Sequence, residues 1–143
     1  MTTVAVDIDR PARDVFAYAT DPRHFSEWQQ GVVTGAMGSE GPAAVGDHCA
    51  SVRRIGGTNR ESTSIVTRLD PPRAWSVRGI DGPIRARVDI DVEAVTGKSS
   101  RISISVDFEG YGIGKILVPL MVRRQAASEM TGNMSRLKEC LEA

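Results

Sequence analysis

The chain has 143 residues, of which 41% are hydrophobic and 25% charged, and its formal net charge is zero. This length and composition predict one globular domain, residues 1–143, and the absence of net charge argues against nucleic acid or an anionic membrane as a partner. No apolar run approaches the ~20 residues that span a bilayer, and the N-terminus lacks signal-peptide character, so we expect a cytoplasmic protein.

The N-terminal part of the chain predicts a strand followed by two short helices. Residues 2–8 alternate between apolar and polar side chains, as in a half-buried strand. A proline near the start and an Asp-Pro pair after the end delimit a helix over residues 11–20. A second short helix over residues 23–29 presents Phe25 and Trp28.

Glycine and proline turns then separate six further segments with strand character. These segments are residues 32–36, 47–55, 60–69, 74–80, 84–94 and 101–109. The last two alternate strictly between apolar and polar side chains. Strict alternation gives a sheet one face that packs on the core and one face that is exposed to solvent, which predicts an antiparallel meander rather than a parallel α/β sheet.

The last segment, residues 112–141, has apolar side chains at steps of three and four, the spacing of one helical face. Such a helix is ~45 Å long and needs a broad apolar surface to lie against. A twisted sheet with one apolar face supplies that surface, and incomplete seating of the helix would leave a cavity between the two layers.

Several stretches of the sequence resemble a known family. They are residues 8–22, Phe25-Ser-Glu-Trp28, Val45-Gly46-Asp47, residues 69–75 and residues 137–142. Together they resemble the polyketide cyclase/dehydrase-like (SRPBCC) branch of the START-related, birch-pollen-allergen-like superfamily. The resemblance implies an α+β helix-grip fold, in which a seven-stranded antiparallel sheet wraps around a long C-terminal helix and two short helices follow the first strand. It also implies a hydrophobic ligand cavity, but it carries no universal catalytic motif.

Aromatic side chains are the main candidates for ligand contacts, because they make up only 5% of the chain. Large flat rings in an apolar pocket suit a planar ligand, and ordinary core filling is the alternative. The predicted ligand-binding residues are Phe25, Trp28, His48, Trp75, Val88, Ile90, Val106, Phe108, Leu117, Leu120 and Met121.

Two residues are candidates for proton transfer. His48 lies in step with Ala50 and Val52, and if those residues face inward, His48 points into the cavity and could act as a general acid or base. The alternative is a half-exposed histidine at a strand end. Tyr18 is the second candidate. We expect no metal or cofactor, because the histidines and cysteines lack ligand spacing and the glycine-rich residues 110–115 do not match a phosphate-binding loop.

The middle of the chain is locally basic, with eight arginines and only three acidic residues between positions 53 and 87. These arginines belong either to a solvated outer face of the sheet or to a platform for an acidic partner. Arg78 and Arg124 could instead offer a charge to a ligand carboxylate or phenolate if they turn inward, with a solvated position as the alternative.

The leading hypothesis is a monomeric or homodimeric protein that binds a small hydrophobic ligand, namely a lipid, a polyketide or an aromatic or cyclic molecule, between the C-terminal helix and the sheet. The second is a polyketide cyclase or dehydratase in which the cavity folds a polyketide chain by shape and His48 or Tyr18 moves a proton. The third is a protein-interaction module using the basic face. Without an enclosed cavity of at least ~300 Å³, the binding hypothesis itself would be badly weakened.

Overall fold

The computed structural model describes residues 2–38, 43–55, 57–113, 115 and 123–143. Its strands are β1 (Thr2–Ile8), β2 (Val32–Met37), β3 (His48–Ile55), β4 (Thr58–Asp70), β5 (Ala74–Gly79), β6 (Ile84–Ala94) and β7 (Ser100–Gly110). Its helices are α1 (Ala12–Ala19), α2 (Phe25–Trp28) and α3 (Arg123–Glu142), with a 3-10 turn over Pro22–His24 before α2.

The strands form one seven-stranded antiparallel sheet in the order β1-β7-β6-β5-β4-β3-β2. Strands β2 to β7 are a meander in which each strand pairs with the next, and β1 closes the order by pairing with β7. With α3 lying against this sheet, the helix-grip α+β prediction is confirmed. The predicted helix over residues 112–141 is observed from Arg123 onward, and positions 114 and 116–122 lie outside the described residues.

Helix α3 buries one face against the sheet and the short helices. Met130, Met134 and Leu137 are buried and follow the steps of four and three that align side chains along a helix. The helix contacts β1, β7, α1 and α2. Among the described residues, no helix is long and apolar enough to cross a bilayer.

The position of α2 depends on a close approach between the 3-10 turn and the edge strand β2. A Cβ atom added to Gly35 would lie 2.4 Å from the carbonyl oxygen of Pro22, a distance that only glycine allows without movement. The turn leads directly into α2, whose Phe25 and Trp28 side chains are buried. This contact therefore supports the two aromatic residues over the interior of the sheet.

Candidate functional site

A cavity of about 210 Å³ lies between α3 and the inner face of the curled sheet. The helix contributes Ala126, Glu129, Met130, Asn133 and Met134 to its lining, and strands β3 to β7 supply most of the opposite wall. The volume is below the ~300 Å³ that the binding hypothesis required, which argues against a drug-sized ligand. It exceeds the ~150 Å³ of an engineered protein cavity that binds benzene, so a molecule of one or two rings matches its size.

Three aromatic side chains form a cluster at the cavity wall. The ring of Phe25 stands edge-on to Trp28, with centroids 6.1 Å apart and an interplanar angle of 87°. It stands similarly to Trp75, at 6.1 Å and 73°. Among the described residues, the buried indole Nε1–H of Trp28 has no hydrogen-bond acceptor. An unpaired buried donor is unfavourable.

The wall formed by β5, β6 and β7 is apolar because inward residues alternate with outward ones and register aligns them across strands. Trp75 lies opposite Ile90, and Ile90 opposite Ile104. The apolar residues that this wall contributes to the cavity are Trp75, Val77, Ile84, Ala86, Val88, Ile90, Ile104, Val106 and Phe108.

The wall formed by β3 and β4 is polar. Three directly opposed pairs of side chains line the cavity there, namely Cys49 with Ser64, Ser51 with Ser62, and Arg53 with Arg60. The hydroxyl oxygens of Ser51 and Ser62 are 3.2 Å apart and share a hydrogen bond. The cavity is therefore amphipathic, with an apolar side and a side that offers hydroxyl and guanidinium groups.

Arg53 is half-buried and lacks a charged partner at contact distance. Its Nη2 donates one hydrogen bond, of 3.3 Å, to Oε1 of Gln29, and it forms no ion pair with any described carboxylate. Burial lowers the pKa of the Arg53 guanidinium, an effect that the nearby Cys49 and Glu129 oppose. Arginine nevertheless remains protonated in proteins, so a positive charge is held at the cavity wall.

The thiol of Cys49 also lines the cavity, and burial raises its pKa to about 11. Only the thiolate is a strong nucleophile or metal ligand. Cys49 is therefore a small, neutral wall residue at neutral pH.

Seven predicted ligand-binding residues line the cavity. They are Phe25, Trp28, Trp75, Val88, Ile90, Val106 and Phe108. Their contact with a ligand stays a prediction. Leu117, Leu120 and Met121 lie outside the described residues.

Of the two positions considered for His48, the structure shows the second, a histidine exposed at a strand end. His48 is exposed and does not line the cavity, whereas its neighbour Cys49 is buried and does. The inward face of β3 follows from its partner strand, because Val66 of β4 is buried opposite Val77 of β5. Alternation along β4 then turns Ser64 inward, and the residue opposite Ser64 is Cys49.

Tyr18, the other candidate for proton transfer, is not among the described residues that line the cavity. Its hydroxyl donates to Oε1 of Glu27 at 3.1 Å, and its ring stacks on His24 with centroids 4.6 Å apart. Burial raises the pKa of Tyr18, and hydrogen bonds with Cys140 and Glu27 raise it further. Tyr18 is partly buried against the core, and this arrangement keeps its phenol neutral at neutral pH.

The arginines of the middle region divide between two environments. Arg53 and Arg60 line the cavity rather than the outer face of the sheet. On the outer face, Arg68 pairs with Asp91 at 2.9 Å, Arg73 with Asp70 at 3.1 Å and Arg78 with Glu109 at 3.4 Å. Arg78 and the exposed Arg124 do not line the cavity. The surface pairs offset the basic charge on which the interaction-module hypothesis relies.

Both sequence and structure comparisons find similar proteins. The profile of the family described as polyketide cyclase / dehydrase and lipid transport matches residues 2–142. A search of curated protein sequences gives no match.

Solved structures with the same fold cover nearly the whole chain. A START superfamily protein from Mycobacterium smegmatis shares 11% identity over 99% of this chain and 96% of its own, with a TM-score of 0.79. The Zhui aromatase/cyclase from a Streptomyces species shares 13% identity over 99% of this chain and 92% of its own, with a TM-score of 0.81. A conserved protein from Geobacillus kaustophilus shares 17% identity over 97% and 93%, with a TM-score of 0.70. At these identities the similarity shows a common fold.

Proposed function

Since the chain belongs to the polyketide cyclase / dehydrase and lipid transport family, we propose that it binds a small hydrophobic molecule of one or two rings in the cavity between α3 and the sheet. The observation that carries this proposal is the cavity itself, about 210 Å³ in volume and walled by Phe25, Trp28 and Trp75. Aromatic walls bury large apolar area against a flat ligand at low conformational cost.

The polar wall of the cavity gives the ligand an orientation. A ring system pressed against β5, β6 and β7 would turn its oxygen substituents toward Ser51, Ser62 and Arg53 on the opposite side. The proposed ligand is therefore amphipathic, with an apolar body and an oxygenated edge, such as a cyclic ketone, phenol or aromatic acid. A purely aliphatic chain would leave the polar wall without partners and would bind less tightly.

A cyclase or dehydratase activity is the second candidate, and the hydrogen-bonded serines favour it over a purely apolar binding site. Ser51 and Ser62 place two polar groups 3.2 Å apart inside the cavity. Among the described residues that line the cavity, Glu129 is the one with a carboxylate, and none is a histidine. General acid–base help would thus come from Glu129, not from His48 or Tyr18.

The first experiment is native mass spectrometry of gently purified protein, in which a bound small molecule adds its mass to that of the chain. If the bound molecule loses one water on incubation, and does so in wild type but not in Glu129→Gln, the enzymatic alternative is supported. An unchanged mass of the bound molecule supports binding alone.

Free cysteines at positions 49 and 140 match the cytoplasmic location that we expect, since disulfides are rare in that compartment.

Two matched variants, in each of which one alanine is replaced by leucine, test the position of the binding site. Ala86 faces the cavity, and Ala86→Leu adds three carbon atoms to its wall, whereas Ala50→Leu adds the same atoms to the exposed face of β3. Both tryptophans of the chain line the cavity, so their fluorescence reports its occupancy. Titration with the bicyclic ketone decalone should show binding to wild type and Ala50→Leu, and at least about tenfold weaker binding to Ala86→Leu. Equal binding to both variants would place the ligand elsewhere.

A further inference from the structure

We infer that the arginine pair Arg53–Arg60 is a subsite for the carboxylate or phenolate group of an anionic ligand. The inference rests on the proposed function, because it assigns one end of the same cavity to the charged part of the ligand. For Arg78 and Arg124 the sequence left open an inward, anion-binding position or a solvated one, and neither side chain lines the cavity.

The first observation is that two like charges face each other across neighbouring strands. Arg53 on β3 is directly opposite Arg60 on β4, and both side chains line the cavity. Like charges at directly opposed positions of a sheet destabilise it. An anion between or beside the two guanidinium groups converts this repulsion into two attractive contacts.

The second observation is that neither arginine is neutralised. Among the described residues, no carboxylate forms an ion pair with Arg53 or Arg60, and the hydrogen bond of Arg53 is to the neutral amide of Gln29. Of the charged groups in the described lining, Glu129 on α3 is the one acidic side chain beside the two arginines. The two arginines and Glu129 therefore carry a net charge of one positive unit. The half-buried position of Arg53 reduces the screening of its charge by water.

The order of side chains along the hairpin determines the orientation of the ligand in the cavity. The inward residues of β3 run from Cys49 through Ser51 to Arg53, a span of ~13 Å at ~3.3 Å per residue. The polar wall is thus neutral at Cys49 and cationic at Arg53. A planar guanidinium binds a carboxylate through two parallel hydrogen bonds, so this end selects an acid over a neutral ring of the same shape.

The test compares naphthoate with naphthamide, which have the same ring system and differ in charge at neutral pH. Isothermal titration calorimetry should give wild-type protein at least about tenfold higher affinity for naphthoate than for naphthamide. Arg53→Gln should bring the two affinities together, and Arg60→Gln should reduce the difference in part. Arg54→Gln is the matched control, because Arg54 is exposed, is the next residue of the same strand and does not line the cavity.

A change of opposite sign comes from the acidic residue of the cavity. Glu129→Gln removes the negative charge that lines the cavity with the two arginines, so it should increase the ratio of the naphthoate affinity to the naphthamide affinity. Circular dichroism of each variant checks folding, and Arg60→Gln keeps the test valid if Arg53→Gln does not fold, since Arg60 is exposed.

The outcomes distinguish a failure of the anionic subsite from a failure of the proposed function. Equal binding of acid and amide to wild type overturns the anionic subsite and leaves the proposed function standing. An Arg54→Gln effect as large as that of Arg53→Gln also overturns the subsite, because it would show a general charge effect. If neither compound binds, the proposed function fails and the subsite fails with it.

Discussion

Replacing Gly35 with alanine tests how the short helices are held over the cavity. The added Cβ would lie 2.4 Å from the Pro22 carbonyl oxygen and 3.3 Å from the Pro22 Cβ. Since the nearest atom belongs to the backbone, the 3-10 turn has to move away from β2. Overpacking of this kind costs ~1–3 kcal/mol. Alanine has less conformational freedom than glycine in the unfolded chain, which stabilises the folded state by ~0.4–1 kcal/mol. We therefore expect the free energy of unfolding to fall by a net ~1–2 kcal/mol.

Gly132→Ala provides the matched control, with an effect of opposite sign. Gly132 lies within α3, and a Cβ there meets no atom within 4 Å. Alanine in place of glycine inside a helix stabilises by ~1 kcal/mol. The same substitution should therefore destabilise the protein at position 35 and stabilise it at position 132.

Urea unfolding followed by circular dichroism measures both changes. With an m-value of ~2 kcal/mol/M, the midpoint should fall by ~0.5–1 M in Gly35→Ala and rise by ~0.5 M in Gly132→Ala. The tryptophan emission of folded Gly35→Ala should also differ from wild type, because the displaced turn leads directly into α2, which carries Trp28. A midpoint for Gly35→Ala at or above that of wild type, with the expected rise in Gly132→Ala, would refute the steric argument.

Four further outcomes follow from the burial and charge of single residues. Leu137 has 0% exposure, so Leu137→Ala should lower the free energy of unfolding by ~2–5 kcal/mol, and a loss below that range in chemical denaturation would contradict its place in the core. Iodoacetamide at neutral pH should label the exposed Cys140 and spare the buried Cys49, as peptide mass spectrometry would show, and the reverse pattern would refute the placement. The pKa of Cys49 is raised from 9.0 to about 11 on folding, so its contribution to stability is present below pH 9 and is lost as the pH rises toward 11. Cys49→Ala should accordingly lose less stability than wild type over that interval. His48→Ala should leave the affinity for decalone unchanged, because His48 lies outside the cavity, and a weakened affinity would argue against that position.

The apolar side of the site could be predicted from the sequence because alternation on β6 and β7 is strict. A strand with one wholly apolar face has one way to face a core, and Val88, Ile90, Val106 and Phe108 follow directly. Phe25 and Trp28 followed from their position on a short helix that had to cover the open end of the sheet.

The polar side could not be predicted in the same way because β3 carries mixed side chains on both faces. Ala50 and Val52 form the more apolar set, which pointed to His48 as an inward residue, yet Cys49, Ser51 and Arg53 face the cavity. The glycine turn at residues 56–57 predicted that the segments 47–55 and 60–69 follow each other as neighbouring strands, and the register that brings Arg53 opposite Arg60 comes from the structure. Which face of that hairpin meets the core was decided by Val66, whose contact with β5 is remote from β3 in the sequence.

The sequence by itself determined the order of elements and the antiparallel meander, because periodicity and turn residues act over a few neighbouring positions. The resemblance of several stretches to a known family implied the helix-grip fold. Only the tertiary structure decided that two arginines turn inward and that the cavity measures about 210 Å³. Alternation specifies which residues share a face, but not which face is buried. That choice, and the space left between α3 and the sheet, depend on side chains that meet from distant parts of the chain.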